Sequence, residues 1–542
     1  MGINLIKIRI ISEIRAILLI ISVCLLTSCA TAIPEIYLNK GDLTMELHKE
    51  TFAIEGMDVS RDGKYLLTSD NGGSFQGESS IRLWDLTEWK QIYKTKGEDT
   101  IWSIAISPDN KYIVTGSLIP KRGWLDPPVN GEFIPLKVRE MASGRLYRQN
   151  AWFKDFSGDG IVSVKFSFNK KYFLACDRTS IYIYDANTFE LFKTLTSSEY
   201  NPSKVMPYNN VIANFSPDGK YIASGGVDAV IRLWDVKTGR ELKQFVGHKA
   251  TLMYGGICSV EFSPDGKHVL TNAYGDNNAI LWDIEKGIEV RRYSDFRGWI
   301  GMYFWDQSVS FSPNGRQVFV SLRNIFDVET GKTVVDLSES WKGVVMGGRT
   351  ASPSIFHPSG NYVLMVPDSA VRIFDTRYGK EQGMLLGFED GEWLVITAEG
   401  YYNTSEKGAQ YLSVKVGAAL YSVDQFYDVF YRPDIVAAKL RGEDISGLVT
   451  ITMQDAIKSP PPTVEFTSTP SSTNEAKAKI CYRVKSAGGG IGEVRLFHNG
   501  KLIQSDGFYK EITRSASDRT QLASLNSNAI YADMRSVSVK SI

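Results

Sequence analysis

The stretch NFSPDGKYIASGGVDAVIRLWDVKTGR, residues 214–240, decides the architecture. Ser216-Pro217-Asp218-Gly219 is a tight turn, because Asp-Gly tolerates the positive φ that hairpin turns demand. An apolar strand follows, then a second strand ending in IRLWD, then another turn at Thr238-Gly239. Strand side chains alternate, so Ile231 and Leu233 share one face. Working outward, the first signature returns as DVSRDGKY (58–65), AISPDNKY (105–112), KFSFNKKY (165–172), EFSPDGKH (261–268), SFSPNGRQ (310–317) and IFHPSGNY (355–362). Counted from the Ser position, the steps are 47, 60, 49, 47, 49 and 45 residues. The second signature keeps pace as IRLWD (81–85), LKVRE (136–140), IYIYD (181–185), ILWD (280–283), NIFD (324–327) and VRIFD (371–375). A period of this length marks a unit that buries its apolar faces against neighbouring copies.

The paired signatures resemble the WD-repeat family, whose units are four-stranded blades of a closed propeller. The resemblance implies an all-β chain with a seven-bladed WD-type β-propeller over 36–385, residues 36–47 supplying the strand that completes the last blade. Recurrence assigns structural roles to Trp84, Asp85, Tyr184, Asp185, Trp234, Asp235, Trp282, Asp283, Asp327 and Asp375. In the family, a Gly-His histidine joins an aspartate six residues before the tryptophan. Gly247-His248 with Asp276 and Trp282 fits that pattern, and Asp228 with Trp234 and Asp368 with Phe374 fit its spacing. The missing Gly-His elsewhere implies that the remaining blades hold together by apolar packing.

The N-terminus reads as an address. Lys7, Arg9 and Arg15 precede the apolar run Ala16–Leu26, and Leu26-Thr27-Ser28-Cys29 follows. This is the layout of a secretory signal peptide over 1–28, too short for a comfortable membrane span. Leu-Thr-Ser-Cys resembles the bacterial lipobox, which implies lipidation (palmitate) of Cys29, a membrane tether, and a lipid-anchored protein in a bacterial cell envelope, on the outer membrane facing the periplasm.

Beyond the repeats, residues 386–458 read as a segment of strands and short helices. A helix begins at Ser422, and another at Pro433 stops at Gly442. Ser459 and three prolines form a boundary, and 463–542 read as a partial β-sandwich-like module with a polar tail. The run from Trp393 through GGGIGEVRLFHNGK resembles the non-catalytic part of bacterial WD-repeat/caspase-like peptidase fusions. No stretch matching that peptidase follows, so no catalytic His or Cys carries over; the resemblance leaves open a truncated or split peptidase of which this chain is the recognition part.

Chemistry is sparse. The 61 basic residues equal the 61 acidic ones, which argues against a nucleic-acid partner. Five histidines and five cysteines show no metal-site spacing, so no metal, cofactor or catalytic residue is expected. Cys176 and Cys258 share strand parity with core residues. Binding is expected on the rim that carries the long connections, where Trp124, Trp152, Phe153, Tyr254, Trp299, Tyr303, Trp305 and Trp341 fall. The reading is a non-enzymatic, membrane-tethered scaffold with a protein or peptide partner, a glycan-binding propeller being the other candidate.

Overall fold

The structure is a computed structural model that describes residues 43–49, 51, 53–70, 79–95, 100–117, 135–149, 160–197, 211–249, 256–274, 276, 278–294, 308–320, 324–337, 353–416 and 419–449. Beyond these it describes the strands Thr463–Ser468, Ile480–Lys485, Arg495–His498, Lys501–Ser505 and Thr520–Leu525. The chain divides into two compact units. One takes in Glu50–Gly391, the other Glu35–Lys49 together with Glu392–Ile542.

In the first unit, antiparallel sheets follow one another along the chain, and each takes four strands of this unit in chain order. We number them sheet 1 (54–94), sheet 2 (101–149), sheet 3 (163–196), sheet 4 (212–246), sheet 5 (256–293), sheet 6 (309–336) and sheet 7 (354–387). First strands of successive sheets touch, and Ser354–Phe356 of sheet 7 meets Ile54–Val59 of sheet 1, so the series closes into a ring. Alternation explains the stacking. Ile222 and Trp234 pack with Leu174, Ile181 and Ile183 of sheet 3. Ala223, Ile231 and Leu233, one residue out of phase, pack with Ile257, Val260 and Trp282 of sheet 5. Each fully buried Ile, Leu or Phe contributes about 1.5–3 kcal/mol, so every sheet is held by both neighbours. Cys176 and Cys258 are buried within this packing.

Two local devices recur. Where the third strand meets the outer one, the pairing slips just before the aromatic position, at Leu83/Trp84, Ile183/Tyr184, Leu233/Trp234 and Leu281/Trp282. Such bulges twist an outer edge away from further pairing. In the first turn, the Ser hydroxyl donates to the Asp two residues on (Ser216 to Asp218, 2.7 Å) and accepts the amide of the residue five on (Tyr221, 2.9 Å). Gly219 supplies φ +69° there, whereas Lys170 must take φ +63° in the FNKK version of sheet 3. A left-handed non-glycine residue costs about 1–2 kcal/mol. Lys170→Gly is therefore expected to stabilise the ring by about 1 kcal/mol, read as a rise in the urea midpoint; no rise would show that the turn carries no strain.

The second unit corrects the described part of the expected closing strand, 43–47, while 36–42 lie outside the described residues. Leu43–Leu47 pairs antiparallel with Leu412–Val416, which pairs in turn with Ala419–Ser422. Within the first unit, the fourth strand of sheet 7 is Glu381–Gly387, drawn from its own segment and paired with Val371–Asp375. The alternation in LTMEL suits any open sheet edge, so pattern alone could not choose between the two. Trp393–Thr397 and Tyr402–Thr404 form a hairpin. The helix expected from Ser422 is a 3-10 turn, Val423–Phe426, running into a short α-helix, Tyr427–Phe430. The next helix is Pro433–Leu440, with Pro433 and Asp434 in its first turn, Lys439 in its last, and Gly442 beyond at φ +83°. Ile480–Lys485 pairs with both Thr463–Ser468 and Thr520–Leu525. The last of these lies in the tail read as merely polar, and its order comes from pairing rather than from local pattern.

Candidate interaction faces and the buried polar network

Each sheet presents its first and third turns on one rim. The two lie side by side, as Val236 N–H donating to Lys220 O shows in sheet 4. The aspartates of the second signature occupy this rim as turn residues. Asp235 accepts from Thr238 N and Oγ1 (2.6 and 2.7 Å), Asp327 does the same with Thr330, and Asp283 accepts from Lys286 N. Asp85, Asp185 and Asp375 accept backbone amides in the same way. Hydrogen bonds from Thr238 hold the Asp235 carboxyl below its ordinary range. Arg61 and Phe168 stand where the other first turns carry Pro. Arg61 Nη1 donates to Phe168 O at 2.6 Å, and its guanidinium lies 4.8 Å from the ring centre, tying sheet 1 to sheet 3 across this rim.

The opposite rim carries the connections between second and third strands and between sheets. Trp124, Trp152, Phe153, Tyr254, Trp299, Tyr303, Trp305 and Trp341 lie outside the described residues, as does Cys29.

Inside the sheets, several buried charges are paired. His248 Nδ1 meets Asp276 Oδ2 at 2.8 Å, His248 Nε2 meets Thr271 Oγ1 at 2.8 Å, and Trp282 Nε1 donates to the same hydroxyl. Burial raises the Asp276 carboxyl, but hydrogen bonds from His248, Asn278 and Lys249 N outweigh it and bring it down to about 2. The expectation that blades without Gly-His rely on apolar packing is corrected here. In sheet 4, Arg232, two residues before Trp234, pairs with Asp228 at 2.5 Å and Glu241 at 3.5 Å. In sheet 7, Arg372 pairs with Asp368 at 2.7 Å and Glu381 at 2.9 Å. Sheet 1 uses Arg82 with Gln91 (2.8 Å) and Asp70 (3.9 Å), and sheet 3 uses Tyr182 Oη to Asp177 (3.0 Å). The signal was present in the sequence: an Arg two before the aromatic, an Asp six before it and a Glu seven after it. An arginine inside an alternating strand reads as solvent-facing unless its partners are already placed.

A second polar layer lines the inner strands, two residues before the turn Ser. Asp58 accepts Ile106 N–H (2.7 Å), Glu261 accepts Phe311 N–H (3.2 Å) and Ser310 accepts Phe356 N–H (3.3 Å), each reaching the next sheet. Lys165 occupies the same level in sheet 3 and acts on both carboxylates. Burial pushes Glu261 up to about 7, against the pull of Phe311 N–H and Lys165. Among the described residues, no three His, Cys, Asp or Glu side chains gather to hold a metal ion, and no helix is long and apolar enough to cross a membrane.

The model of the WD domain, G-beta repeat, matches residues 89–118, 209–235 and 239–283. Three stretches of this chain thus match WD repeats. With the stacked antiparallel sheets, these repeats make a WD-type β-propeller. The LEC14B homolog of Prunus armeniaca is 27% identical over 254 residues, covering 44% of this chain and 50% of that protein. The U3 small nucleolar RNA-associated protein 15 homolog of Xenopus tropicalis is 26% identical over 167 residues, 30% of this chain and 29% of that protein. WD repeat-containing protein 1 of Xenopus tropicalis is 44% identical over 79 residues, 15% of this chain and 12% of that protein. The chain thus spans half or less of the length of these curated relatives, all three eukaryotic. WD repeats indicate a protein-interaction scaffold.

Proposed function

We propose that this chain is a non-enzymatic scaffold, tethered to a bacterial envelope membrane through lipid on Cys29, that binds a protein or peptide on the rim opposite the tight turns. The carrying observation is the state of the turn rim. Its Ser, Asp and Thr side chains are taken up by the turns themselves, while the longer connections of the sheets leave from the other side. Long connections on a rigid ring are where recognition side chains are placed, and aromatic ones dominate binding when buried. A photocrosslinking residue placed at Trp124, Trp299 or Trp305 is expected to trap a discrete partner in cells, and one placed at Lys267 or Thr238 is not. Equal yields from both rims would overturn the assignment. Trp299→Ala together with Trp305→Ala is expected to weaken that complex at least 30-fold, as loss of about 2 kcal/mol or more at a hot spot does. For the tether, Cys29→Ser is expected to abolish palmitate labelling and move the protein to the soluble fraction. Unchanged labelling would remove the anchor from the proposal.

A further inference from the structure

Six junctions of the ring join sheets that follow each other directly along the chain; the seventh joins sheet 7 to sheet 1. There the described strands of both sheets come from their own segments, and the strand expected to bridge them pairs elsewhere. Side chains also differ at this seam. At four other junctions the outer strand sends a long side chain onto the neighbour's third turn, as Tyr93 does to Met141 O, Lys193 to Lys237 O, Lys243 to Ile284 O and Arg291 to Thr330 O. The equivalent residue of sheet 7 is Gly383, and the turn it faces in the series holds Trp89, packed at 6.0 Å against Tyr362.

His357 completes the seam. It replaces the Ser that opens the first turn in the other sheets, and it is buried. Its Nδ1 accepts the Ser359 amide hydrogen at 3.1 Å, which puts the ring proton on Nε2, 2.8 Å from the Gly63 carbonyl of sheet 1. We propose that His357 is a pH-sensitive clasp of the ring, closing the seam when neutral and loosening it when protonated. A second proton would have to sit on Nδ1, facing the Ser359 N–H. Among the described residues, no carboxylate is hydrogen-bonded to the ring to compensate. Its face stacks on Tyr362 at 4.3 Å, and Ser359 Oγ lies 2.8 Å from Nδ1. In the turn that holds Gly63, Asp62 is engaged by Ser60, Lys64 N and Asn110; the cations there are Lys64 and Arg61, the latter held on Phe168. From sheet 6, the neighbour of this turn is the uncharged Pro313 beside Gly360. Burial holds the imidazole below its ordinary range, against the Gly63 carbonyl. The folded ring therefore resists a proton that the unfolded chain accepts, and the clasp's contribution, present above about pH 6.5, is lost as the pH falls.

Hydrogen exchange of the full chain at pH 7.5 and 5.0, corrected for intrinsic rates, tests this. Amides of 54–65 and 355–365 are expected to exchange at least 10-fold faster at pH 5.0, while those at the junction of sheets 4 and 5 keep their protection. His357→Ser, which restores the residue of the other turns, is expected to remove the difference. Should that variant fold poorly, His357→Gln keeps an uncharged side chain that cannot titrate and gives the same reading. Equal seam protection at both pH values in the parent chain, or a difference that survives in either variant, would overturn the proposal.

Discussion

Arg372→Met is expected to destabilise the propeller by about 3–5 kcal/mol, read as a large fall in the urea midpoint. Arg372 is about 1% exposed, and its guanidinium holds Asp368 and Glu381 in ion pairs of 2.7 and 2.9 Å. Burial would favour losing its proton, but the two carboxylates outweigh that and keep it charged. Removing it leaves two carboxylates with little water and no cation. Glu381 is already pushed up by burial, Arg372 being what pulls it back, so the variant takes up a proton there on folding. The combined change Arg372→Met, Asp368→Asn and Glu381→Gln is expected to recover most of the loss, because no buried charge remains. A single-variant loss below about 1 kcal/mol would mean that water reaches the triad and the pairs contribute little.

The second large effect concerns Glu261. Its folded value of about 7 lies above the ordinary 4.5, so the folded state holds a proton that the unfolded chain releases. Stability from this group is complete below about pH 4.5 and is lost as the pH rises through about 7. At about 1.4 kcal/mol per pKa unit, the loss is on the order of 1–3 kcal/mol. Glu261→Gln keeps an oxygen acceptor for Phe311 N–H and carries no charge. It is expected to flatten the decline between pH 5 and 8 and to leave the variant more stable than the parent at pH 8. A parent curve with no decline, or a decline unchanged in the variant, would show that Lys165 fully offsets the burial. The seam histidine acts with the opposite sign, so whole-protein melts see the two partly cancel; exchange measured sheet by sheet separates them.

Much of the fold was legible because its determinants are local. A hairpin turn needs Asp-Gly or a like pair at a given offset, and stacked sheets need two apolar faces, so Ser216-Pro217-Asp218-Gly219 and Ile231-Arg232-Leu233-Trp234 announce a unit wherever they recur. The His248–Asp276–Thr271–Trp282 network was also within reach, since resemblance named three of its members. Arg82, Arg232 and Arg372 escaped notice because charge in an alternating strand ordinarily faces water. Only their partners turn that position inward: carboxylates six residues before and seven after the aromatic for Arg232 and Arg372, and Gln91 with Asp70 for Arg82.

By itself, then, the sequence determined the repeat, its turns, its strand faces and the residues that fill the space between sheets, all through interactions spanning a few residues or one strand pair. The tertiary structure alone decided what closes the ring. LTMEL at Leu43–Leu47 satisfies its backbone hydrogen bonds on any open strand edge, and it took the edge of Leu412–Val416. That choice leaves the seam to contacts such as His357 with Gly63 and Trp89 with Tyr362, and no local pattern could state it, because open edges are chemically alike until the chain has brought one of them near.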